Sequence, residues 1–415
     1  MIELAKTLRV RHPDVACCIG SFHETGNCRH FLENVVAEGF EVIELVHDFP
    51  HLLRARNELK WVLIERKIDI LITNGHKARG VSCLLPKSLR IPILTVSRGW
   101  TTENLKMRLF NLVDRWFHRR ADHVIAVSEG QAAKVIRFGT PPERVTVIHN
   151  AIRTERFDAP PDTALREKLL AMFPNTSASE IRSRAKKSCS KNQSRDGNGA
   201  VIPLVDTRGS DENDHVIFVR DLTNDHLQQK PLFLLGAAGR LSPEKGFDLL
   251  IDAVKIIRDR EFPIGLVIFG EGFLRETLEA QIKSLGLQND IQLPGFTDEL
   301  DWYLPHFDIF VQSSHTEGLP NVLLESMAAR TPVVATNVGG TSEVVDEGVT
   351  GLMVPPGNTA QLADAICRLL AEPEKLPAMG TAARERVQTL FTFENQADRY
   401  YELLCRFYKG RAVTP

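Results

Sequence analysis

The sequence predicts an α/β protein built from two doubly wound domains that face one another. Short apolar runs of strand length alternate with helical patterns in the first 158 residues and again from residue 231 onward. This alternation is typical of parallel sheets whose strands are joined by crossover helices. A polar stretch separates the two halves, and a chain of 415 residues exceeds the size at which a single core usually stops growing. Two domains with a cleft between them are therefore expected.

The first domain is expected to span residues 1–158. It opens with a helix over Met1–Arg11, where apolar residues recur at helical spacing. The predicted strands that follow are Val15–Ile19, Val42–Leu45, Ile68–Thr73, Ile93–Val96 and Val124–Val127, and the predicted helices are Arg29–Glu38 and a segment containing Trp61–Glu65.

A polar insertion or linker is expected over residues 159–230. Its stretch SASEIRSRAKKSCSKNQSRDGN, from Ser177 to Asn198, contains Ile181 as its only large aliphatic residue. Such a composition buries too little apolar area to offset the entropy of ordering, so a polar loop is predicted. Val216–Val219 has the pattern of a short strand.

The second domain is expected to span residues 231–388, followed by a helical tail at 389–415 that crosses back to the first domain. The predicted strands are Leu234–Ala238, Ile264–Phe269, Ile291–Leu293, Ile309–Val311, Val333–Ala335 and Leu352–Val354, and the helices are Phe247–Arg258, Leu274–Ser284 and about Glu394–Lys409. In doubly wound sheets ligands bind beyond the carboxyl ends of the strands, so the loops that follow the strands are the candidate sites.

The composition limits the class of protein. A chain with 43% apolar residues, 25% charged residues and a net charge of −2 is typical of a globular protein with no nucleic-acid partner. Residues 1–158 hold 24 Lys and Arg against 18 Asp and Glu. That excess favours contact with phosphates or an anionic surface, although chance composition explains it equally well. The seven cysteines form no CxxC pair, and neither a signal peptide nor a membrane-length apolar run is seen, so a cytoplasmic location is expected.

The loop GAAGRLSPEKG carries two cations. Gly239 permits close approach of the backbone, and Arg240 and Lys245 lie near one strand end, where they suit a diphosphate. Two solvated cations at a helix N-terminus are the alternative. Cations are unfavourable there unless an anion joins them, so the pattern favours a diphosphate site.

The segment HTEGLPNVLLESMA carries two acids around a predicted helix start. Pro320 suits the first helical turn, so the amides near Leu319–Asn321 are available to a phosphate. Glu325 would face ribose hydroxyls, and Glu317, beside the flexible Gly318, would reach a second polyol. A capping Glu and a Glu that favours the helix dipole explain the pattern equally well.

Three further loops contain glycines at strand ends. FGEGFLRE nearly matches the GxGxxG fingerprint, but Arg275 replaces the last glycine, so hydride transfer is not expected. Gly270 and Gly272 are interpreted as a tight turn close to the ligand. The Gly295 and Phe296 backbone lines a base pocket or forms a simple turn. The glycine pair of NVGGTSE suits a phosphate or, again, only a turn.

The motifs GRLSPEKG, GEG, SSHTEGLPNVLLESMA and RTPVVATNVGGTSEVVDEGVTGLMVPPGN resemble the retaining glycosyltransferases of family 4, which have the GT-B fold. The resemblance is strong over about Gly236–Arg386. It implies that Glu325 holds the nucleotide ribose, that Glu317 contacts the donor sugar, and that Arg240 and Lys245 hold the diphosphate. The donor-binding residues expected on these grounds are Gly239, Arg240, Lys245, Gly270, Gly272, Gly295, Phe296, Glu317, Gly318, Leu319, Pro320, Asn321 and Glu325, with Glu317, Arg240 and Lys245 in the catalytic step.

The first half is similar to the same family more loosely, through KIDILITNGHKA, ADHVIAVSEG and RVTVIHNAI. Many members carry a His after the strand matching Ile93–Val96, where this chain has Ser97-Arg98-Gly99-Trp100. Arg98 either suits an anionic acceptor or has a structural role. The residues expected on the acceptor side are His76, Lys77, Arg98, Trp100 and Asn150.

Two features of the first half leave alternatives open. Family members usually begin with an apolar strand and a Gly-rich loop, whereas this sequence opens on MIELAKTLRVRH, so the first strand is expected to be missing and a longer natural product is favoured. The basic and aromatic segment Asn104–Arg120 either rests on an anionic membrane or forms an ordinary surface helix with one packed face.

The resemblance therefore implies transfer of a sugar from a UDP- or GDP-sugar to a glycan or glycolipid acceptor, with retained configuration, in cell-envelope or exopolysaccharide synthesis. No DxD motif is present, so neither a metal nor another cofactor is expected. The alternatives are a non-catalytic nucleotide-sugar-binding subunit and a GT-B epimerase, whose motifs differ from those quoted.

Overall fold

The computed structural model describes residues 1–23, 27–47, 51–99, 116–173 and 232–409. Within these residues the strands form three sheets, and every strand pair is parallel. The prediction of a parallel α/β protein with two domains is confirmed. The strand predicted at Val216–Val219 lies outside the described residues.

The first domain contains two of the sheets, and helices cover them. One sheet pairs β1 with β2, and the other has the order β3-β4-β5-β6. The strands are β1 Cys18–Phe22, β2 Glu41–Leu45, β3 Leu71–Asn74, β4 Ile93–Ser97, β5 His123–Ala126 and β6 Val145–Val147, and the helices are α1 Ile2–Arg11, α2 Asn27–Ala37, α3 Leu52–Glu65, α4 His76–Ser82 and α5 Glu129–Arg137. Residues 116–120 are also helical.

Two strands of this domain begin later than predicted, because the residues before them form turns that follow a helix. The strand expected at Val15–Ile19 is β1, which starts at Cys18, since residues before it close a turn after α1 in which Val15 N donates to His12 O. The strand expected at Ile68–Thr73 is β3. Ile68 instead ends α3, where its amide donates to Leu63 O.

The two sheets of the first domain are joined by hydrophobic clusters, one set on each face of the sheets. On one face, Leu4 and Leu8 of α1 pack with Leu94 of β4, while Ala5 of the same helix packs toward β1 and β2. On the other face, α3 covers Phe22 of β1 in a cluster that β3 also joins. Each of β1 and β3 has one edge without a strand partner among the described residues.

The second domain is one six-stranded sheet of order β12-β11-β10-β7-β8-β9. The chain builds outward from β7 to β9 and then returns to β10 on the other side of β7. A topological switch point, where ligands bind in doubly wound folds, therefore lies between β7 and β10. The strands are β7 Phe233–Ala238, β8 Ile264–Phe269, β9 Ile291–Gly295, β10 Ile309–Gln312, β11 Val333–Thr336 and β12 Gly351–Val354, and the helices are α7 Phe247–Asp259, α8 Arg275–Ser284, α9 Leu300–Tyr303, α10 Asn321–Ala328, α11 Thr341–Val344, α12 Thr359–Leu370 and α13 Leu376–Leu390.

A helix, α6 (Thr163–Ala171), occupies the start of the segment interpreted as a polar insertion. It docks on the second domain, because Arg166 donates 3.1 Å to Asp308 and the helix buries Leu169. The ring of Phe173 fills the space beside Gly265. The insertion expected at 159–230 thus begins with an ordered, packed element, and residues 174–231 lie outside the described residues.

The last helix, α14 (Phe393–Lys409), crosses back and packs on α1. Arg11 donates to Asp398 at 2.7 Å, and the Tyr401 ring stacks on His12 with centroids 3.9 Å apart. The chain passes between the domains near Ile152 and again near Phe391. These two crossings are bonded to each other, because Ile152 N donates 2.9 Å to Phe391 O.

Candidate functional site

The predicted cation and acid loops meet at the switch point, beyond the carboxyl ends of β7 and β10. The Lys245 ammonium donates 2.7 Å to Glu317 Oε1, and the Ser314 hydroxyl donates 2.7 Å to the same oxygen. The Glu317 side chain is only 12% exposed. The residue expected to bind the diphosphate and the residue expected to bind the sugar are therefore paired with each other.

Backbone contacts fix Lys245 in this position. A short 3₁₀ helix, Pro243–Lys245, ends at Gly246, which has φ of 60° and no room for a Cβ against the carbonyl of Ser313. The Ser313 hydroxyl donates 3.0 Å to the Lys245 carbonyl, and the His315 amide donates 2.8 Å to that of Glu244. The cation loop and the acid loop consequently form one unit. Arg240 is exposed at the edge of this unit.

The glycines of the neighbouring loops pack against backbone. The Gly270 amide donates 2.8 Å to the Gly295 carbonyl. A Cβ at Gly270 would collide with the carbonyl of Gly239, and one at Gly272 with that of Leu241. The loops after β7, β8 and β9 thus touch through their main chains, and close packing alone explains why glycine is required at Gly270 and Gly272.

Helix α10 begins with an open N-terminus. Its N-cap is Pro320, which has no side-chain cap to offer, and the helix runs from Asn321. Glu325 lies one turn inside and is half-buried. Burial raises the pKa of this carboxyl; the nearby Arg156 acts to lower it, and Asp301 adds to the rise. Glu325 is therefore a desolvated acid at the site, as expected of a group held ready for neutral hydroxyls.

The first domain binds the acid loop through Asn150 and Ser128. The Asn150 side-chain amide donates 3.1 Å to the Leu319 carbonyl and 2.8 Å to Asn321 Oδ1. The Ser128 hydroxyl, which also caps α5, donates 2.9 Å to the Gly318 carbonyl. Asn150, expected on the acceptor side, here holds the loop and helix start expected to bind the donor.

Gly318 makes a close contact with the first domain that was not predicted. The sequence suggested that this glycine lets Glu317 move, whereas the structure places Gly318 against the carbonyl of Arg98, which a Cβ would overlap. Gly99 packs on the same point, with its Cβ position 3.5 Å from the Gly318 backbone. Glycine is needed here because the two domains touch through their main chains.

Glu343 of the second domain caps a helix of the first. Its carboxylate accepts from the amides of Glu129 at 2.9 Å and Gly130 at 3.2 Å, at the start of α5, and from His149 Nε2 at 2.8 Å. Burial opposes ionisation, but the bonds from His149 and the two amides outweigh it and lower the pKa of Glu343. The sequence pattern of this loop pointed only to its glycines.

Lys134 is a second site residue that sequence analysis missed. It lies on α5, and its Nζ is 3.5 Å from Thr316 Oγ1 of the second domain. Burial lowers the pKa of the Lys134 ammonium, and the Glu317 carboxylate acts in the opposite direction. The only sequence signal for Lys134 was its place on the helix that follows a strand end.

The remaining predicted residues have exposed side chains or lie outside the described residues. His76 and Lys77 are exposed at the start of α4, and the Arg98 side chain is exposed after β4. Phe296 is 76% exposed after β9. Trp100 lies outside the described residues.

Neither a metal site nor a membrane-spanning helix is found in the part of the chain that the structure describes. There, no group of three or more His, Cys, Asp or Glu side chains is placed to hold a metal ion. The same residues include no helix of the length and apolar character needed to cross a bilayer. Of the basic and aromatic segment Asn104–Arg120, only its end is described, where Arg120 lies over the Trp116 ring at 4.6 Å.

Two facing doubly wound domains, with cations and acids gathered at the switch point of the second, define the class as a GT-B-type transferase. The family profile described as Glycosyl transferases group 1 matches residues 220–386, and the profile described as Glycosyltransferase Family 4 matches residues 1–156. The two matches extend over both domains. The chain belongs to the family 4 glycosyltransferases.

Several named proteins are similar to this chain. A 2-deoxystreptamine N-acetyl-D-glucosaminyltransferase of Niallia circulans is 28% identical over 49% of this chain and 52% of its own. A GDP-mannose-dependent α-(1-6)-phosphatidylinositol monomannoside mannosyltransferase of Mycobacterium tuberculosis is 36% identical over 40% and 45%, respectively. The chain spans about half the length of these curated relatives.

Solved structures match over nearly the whole chain. Anabaena Alr3699/HepE in complex with UDP superposes with a TM-score of 0.69 at 21% identity, over 98% of this chain and 96% of the other. The sucrose-phosphate synthase of Thermosynechococcus elongatus gives a TM-score of 0.65 at 20% identity, over 92% of each chain. These likenesses establish the GT-B fold.

Proposed function

We propose that this protein transfers a hexosyl group from a UDP- or GDP-sugar to a hydroxyl of a glycan or lipid-linked acceptor, with retained anomeric configuration. The observation that carries the proposal is the Lys245–Glu317 pair at 2.7 Å beside the open start of α10. A diphosphate needs cations and backbone amides, and a sugar needs acceptors for its hydroxyls. This corner of the cleft offers both.

In the proposed reaction the bond between the anomeric carbon and the diphosphate oxygen breaks, and its electron pair remains on the departing diphosphate. Lys245, Arg240 and the first amides of α10 stabilise that charge, and Asn150 and Ser128 of the first domain hold the loop that carries these amides. Glu317 orients the sugar and Glu325 the ribose. The acceptor oxygen then bonds to the anomeric carbon on the face that the diphosphate left, and the hydroxyl proton passes to the departing diphosphate oxygen.

The names of the relatives support a nucleotide-sugar donor and a glycan acceptor. The mycobacterial relative is named as GDP-mannose-dependent, and the Anabaena structure holds UDP. Other relatives are named for lipopolysaccharide core synthesis in Rhizobium meliloti and amylovoran synthesis in Erwinia amylovora. We place the reaction in cell-envelope or exopolysaccharide synthesis, on the cytoplasmic side of the membrane.

A donor panel tests the proposal. The purified chain is incubated with UDP- and GDP-sugars and candidate acceptors, release of nucleoside diphosphate is followed, and the anomeric configuration of the product is read by NMR. We expect Lys245→Met to lower turnover at least a hundredfold, because a charge-stabilising group is lost. The matched control is Lys255→Met, which removes a half-buried lysine paired with Asp259.

A binding-only role is the alternative. It predicts that a nucleotide-sugar stabilises the folded chain while no nucleoside diphosphate is released with any acceptor. Equal turnover by wild type and Lys245→Met would refute the assigned site, and a product of inverted configuration would refute retention.

A further inference from the structure

Lys134 reaches across the cleft from the first domain. Its ammonium is 3.5 Å from the hydroxyl of Thr316, the residue before Glu317. The side chain is half-buried, and it makes no ion pair in the part of the chain that the structure describes. A cation is thus held partly out of water next to an acid that belongs to the other domain.

Glu317 consequently has one cation from each domain in its neighbourhood. Lys245 is bonded to it at 2.7 Å, and the Lys134 ammonium lies 3.5 Å from the hydroxyl of Thr316, the preceding residue. The proposed function gives Lys245 another partner, the donor diphosphate. When Lys245 turns to the phosphates, Glu317 loses its ion pair while remaining largely buried, and a buried carboxylate without a cation is strongly disfavoured.

We propose that Lys134 neutralises Glu317 when a nucleoside diphosphate engages Lys245. The inference rests on the proposed function of the site. Lys134 acts through Glu317 and is therefore a positioning residue. Because Lys134 and Glu317 lie on different domains, the exchange of partners ties donor binding to closure of the cleft, and each favours the other by the same free energy.

Two other roles for Lys134 make different predictions. A surface cation would act only through long-range charge, and Arg137, one turn further along α5 and exposed, provides the matched control for that effect. An acceptor-binding cation would change the KM for the acceptor and leave nucleotide binding unchanged.

A double-mutant cycle on nucleotide affinity tests the proposal. UDP and GDP binding is measured by calorimetry for wild type, Lys134→Met, Glu317→Gln and the double variant. We expect Lys134→Met to weaken binding roughly tenfold, because Glu317 then competes with the diphosphate for Lys245. In the Glu317→Gln background the same change has an effect below about twofold, since a neutral amide needs no cation.

Two control variants separate the effect of the Lys134 charge at its position from a general effect of charge. Arg137→Met binds as wild type within about twofold, and Lys134→Arg, which keeps the charge, recovers most of the affinity. In turnover assays, Lys134→Met raises the KM for the donor more than that for the acceptor.

The inference is overturned if Lys134→Met binds nucleotide as wild type does, if its effect is the same with Glu317→Gln, or if only the acceptor KM changes. If thermal unfolding shows that Lys134→Met does not fold, the same measurements are made on Lys134→Gln. Failure of the wild type to bind either nucleotide would instead overturn the proposed function itself.

Discussion

The Ser128 hydroxyl of the first domain donates a 2.9 Å hydrogen bond to the Gly318 carbonyl of the second. The same carbonyl accepts 2.7 Å from the Gly340 amide. A single peptide group beside Glu317 is therefore held by both domains. The geometry of the candidate site consequently depends on how the domains meet.

Gly318→Ala is expected to hold the domains apart. The added methyl group would overlap the Arg98 carbonyl, so the cleft must open or the loop must shift. We expect turnover to fall at least tenfold while UDP or GDP still binds, because a shift of about 1 Å near the reacting atoms suffices for a loss of this order. Small-angle scattering should show a larger radius of gyration. An alanine variant with wild-type turnover and compactness would contradict this account.

Glu343→Gln is expected to loosen closure, because a carboxylate that caps α5 and binds His149 becomes neutral. Such charge-assisted contacts between surfaces contribute on the order of 1–2 kcal/mol. We expect weaker domain closure in scattering and a lower affinity for the donor. The control is Glu385→Gln, an exposed acid of the same domain. If both variants behave alike, Glu343 does not hold the domains together.

The Glu343 contact also predicts a response to acid. Its pKa is lowered from 4.5 in the folded chain, so the folded state releases this proton more readily than the unfolded one. The contribution of Glu343 is complete above pH 4.5 and is lost as the pH falls through the lowered value. Scattering between pH 7 and 3 should show opening only at the acid end. Opening that is already complete above pH 4.5 would contradict the assignment to Glu343.

Glu325→Gln is expected to stabilise the protein while impairing donor binding. The pKa of Glu325 is raised from 4.5, mainly by burial, so the charged form costs folding free energy at pH 7. This cost disappears as the pH falls below 4.5, where the folded and unfolded forms are both protonated. We expect a rise in Tm of roughly 2 °C or more at pH 7 and none near pH 3.5. A lower Tm at pH 7 would contradict the prediction.

Arg384→Met is expected to destabilise the second domain and its linker. Arg384 is 3% exposed, and it donates to the carbonyls of Ala328 at 2.8 Å and Phe157 at 3.1 Å and pairs with Asp158. Removing the cation leaves two buried carbonyl acceptors unpaired, at a cost of about 1–3 kcal/mol each. Urea unfolding measures the loss. Arg368→Met, at an exposed position on α12, should be within about 0.5 kcal/mol of wild type.

The alternation of apolar runs and helices was sufficient to predict both domains, because parallel strands buried on two faces leave a strong pattern. The ends of helices and strands were harder to predict. Ile68, for example, is apolar, but it lies in the turn after α3 instead of starting a strand. Lys245 and Glu317 were predicted as site residues from their loops. Their direct pairing was not, because both were assigned to the ligand.

The contacts between the two domains could not be predicted from the sequence. Ser128 is an ordinary helix cap by type and position, and nothing local distinguishes it from a cap that also bonds another domain. The glycine of the acid loop suggested flexibility, although it provides room for the Arg98 carbonyl. Such roles depend on surfaces far apart in sequence, so the local spacing and periodicity of residues do not predict them.

The hydrogen bond from Ile152 to Phe391 joins the two passages of the chain between the domains. A domain joined to another at two well-separated points can rotate only about the line through those points. A domain joined at a single point can rotate about several axes. In the part of the chain that the structure describes, both covalent crossings between the domains lie at one such point. Its halves should therefore reorient as rigid bodies around one pivot, with little unwinding of either sheet, and the far rim of the crevice should travel the greatest distance.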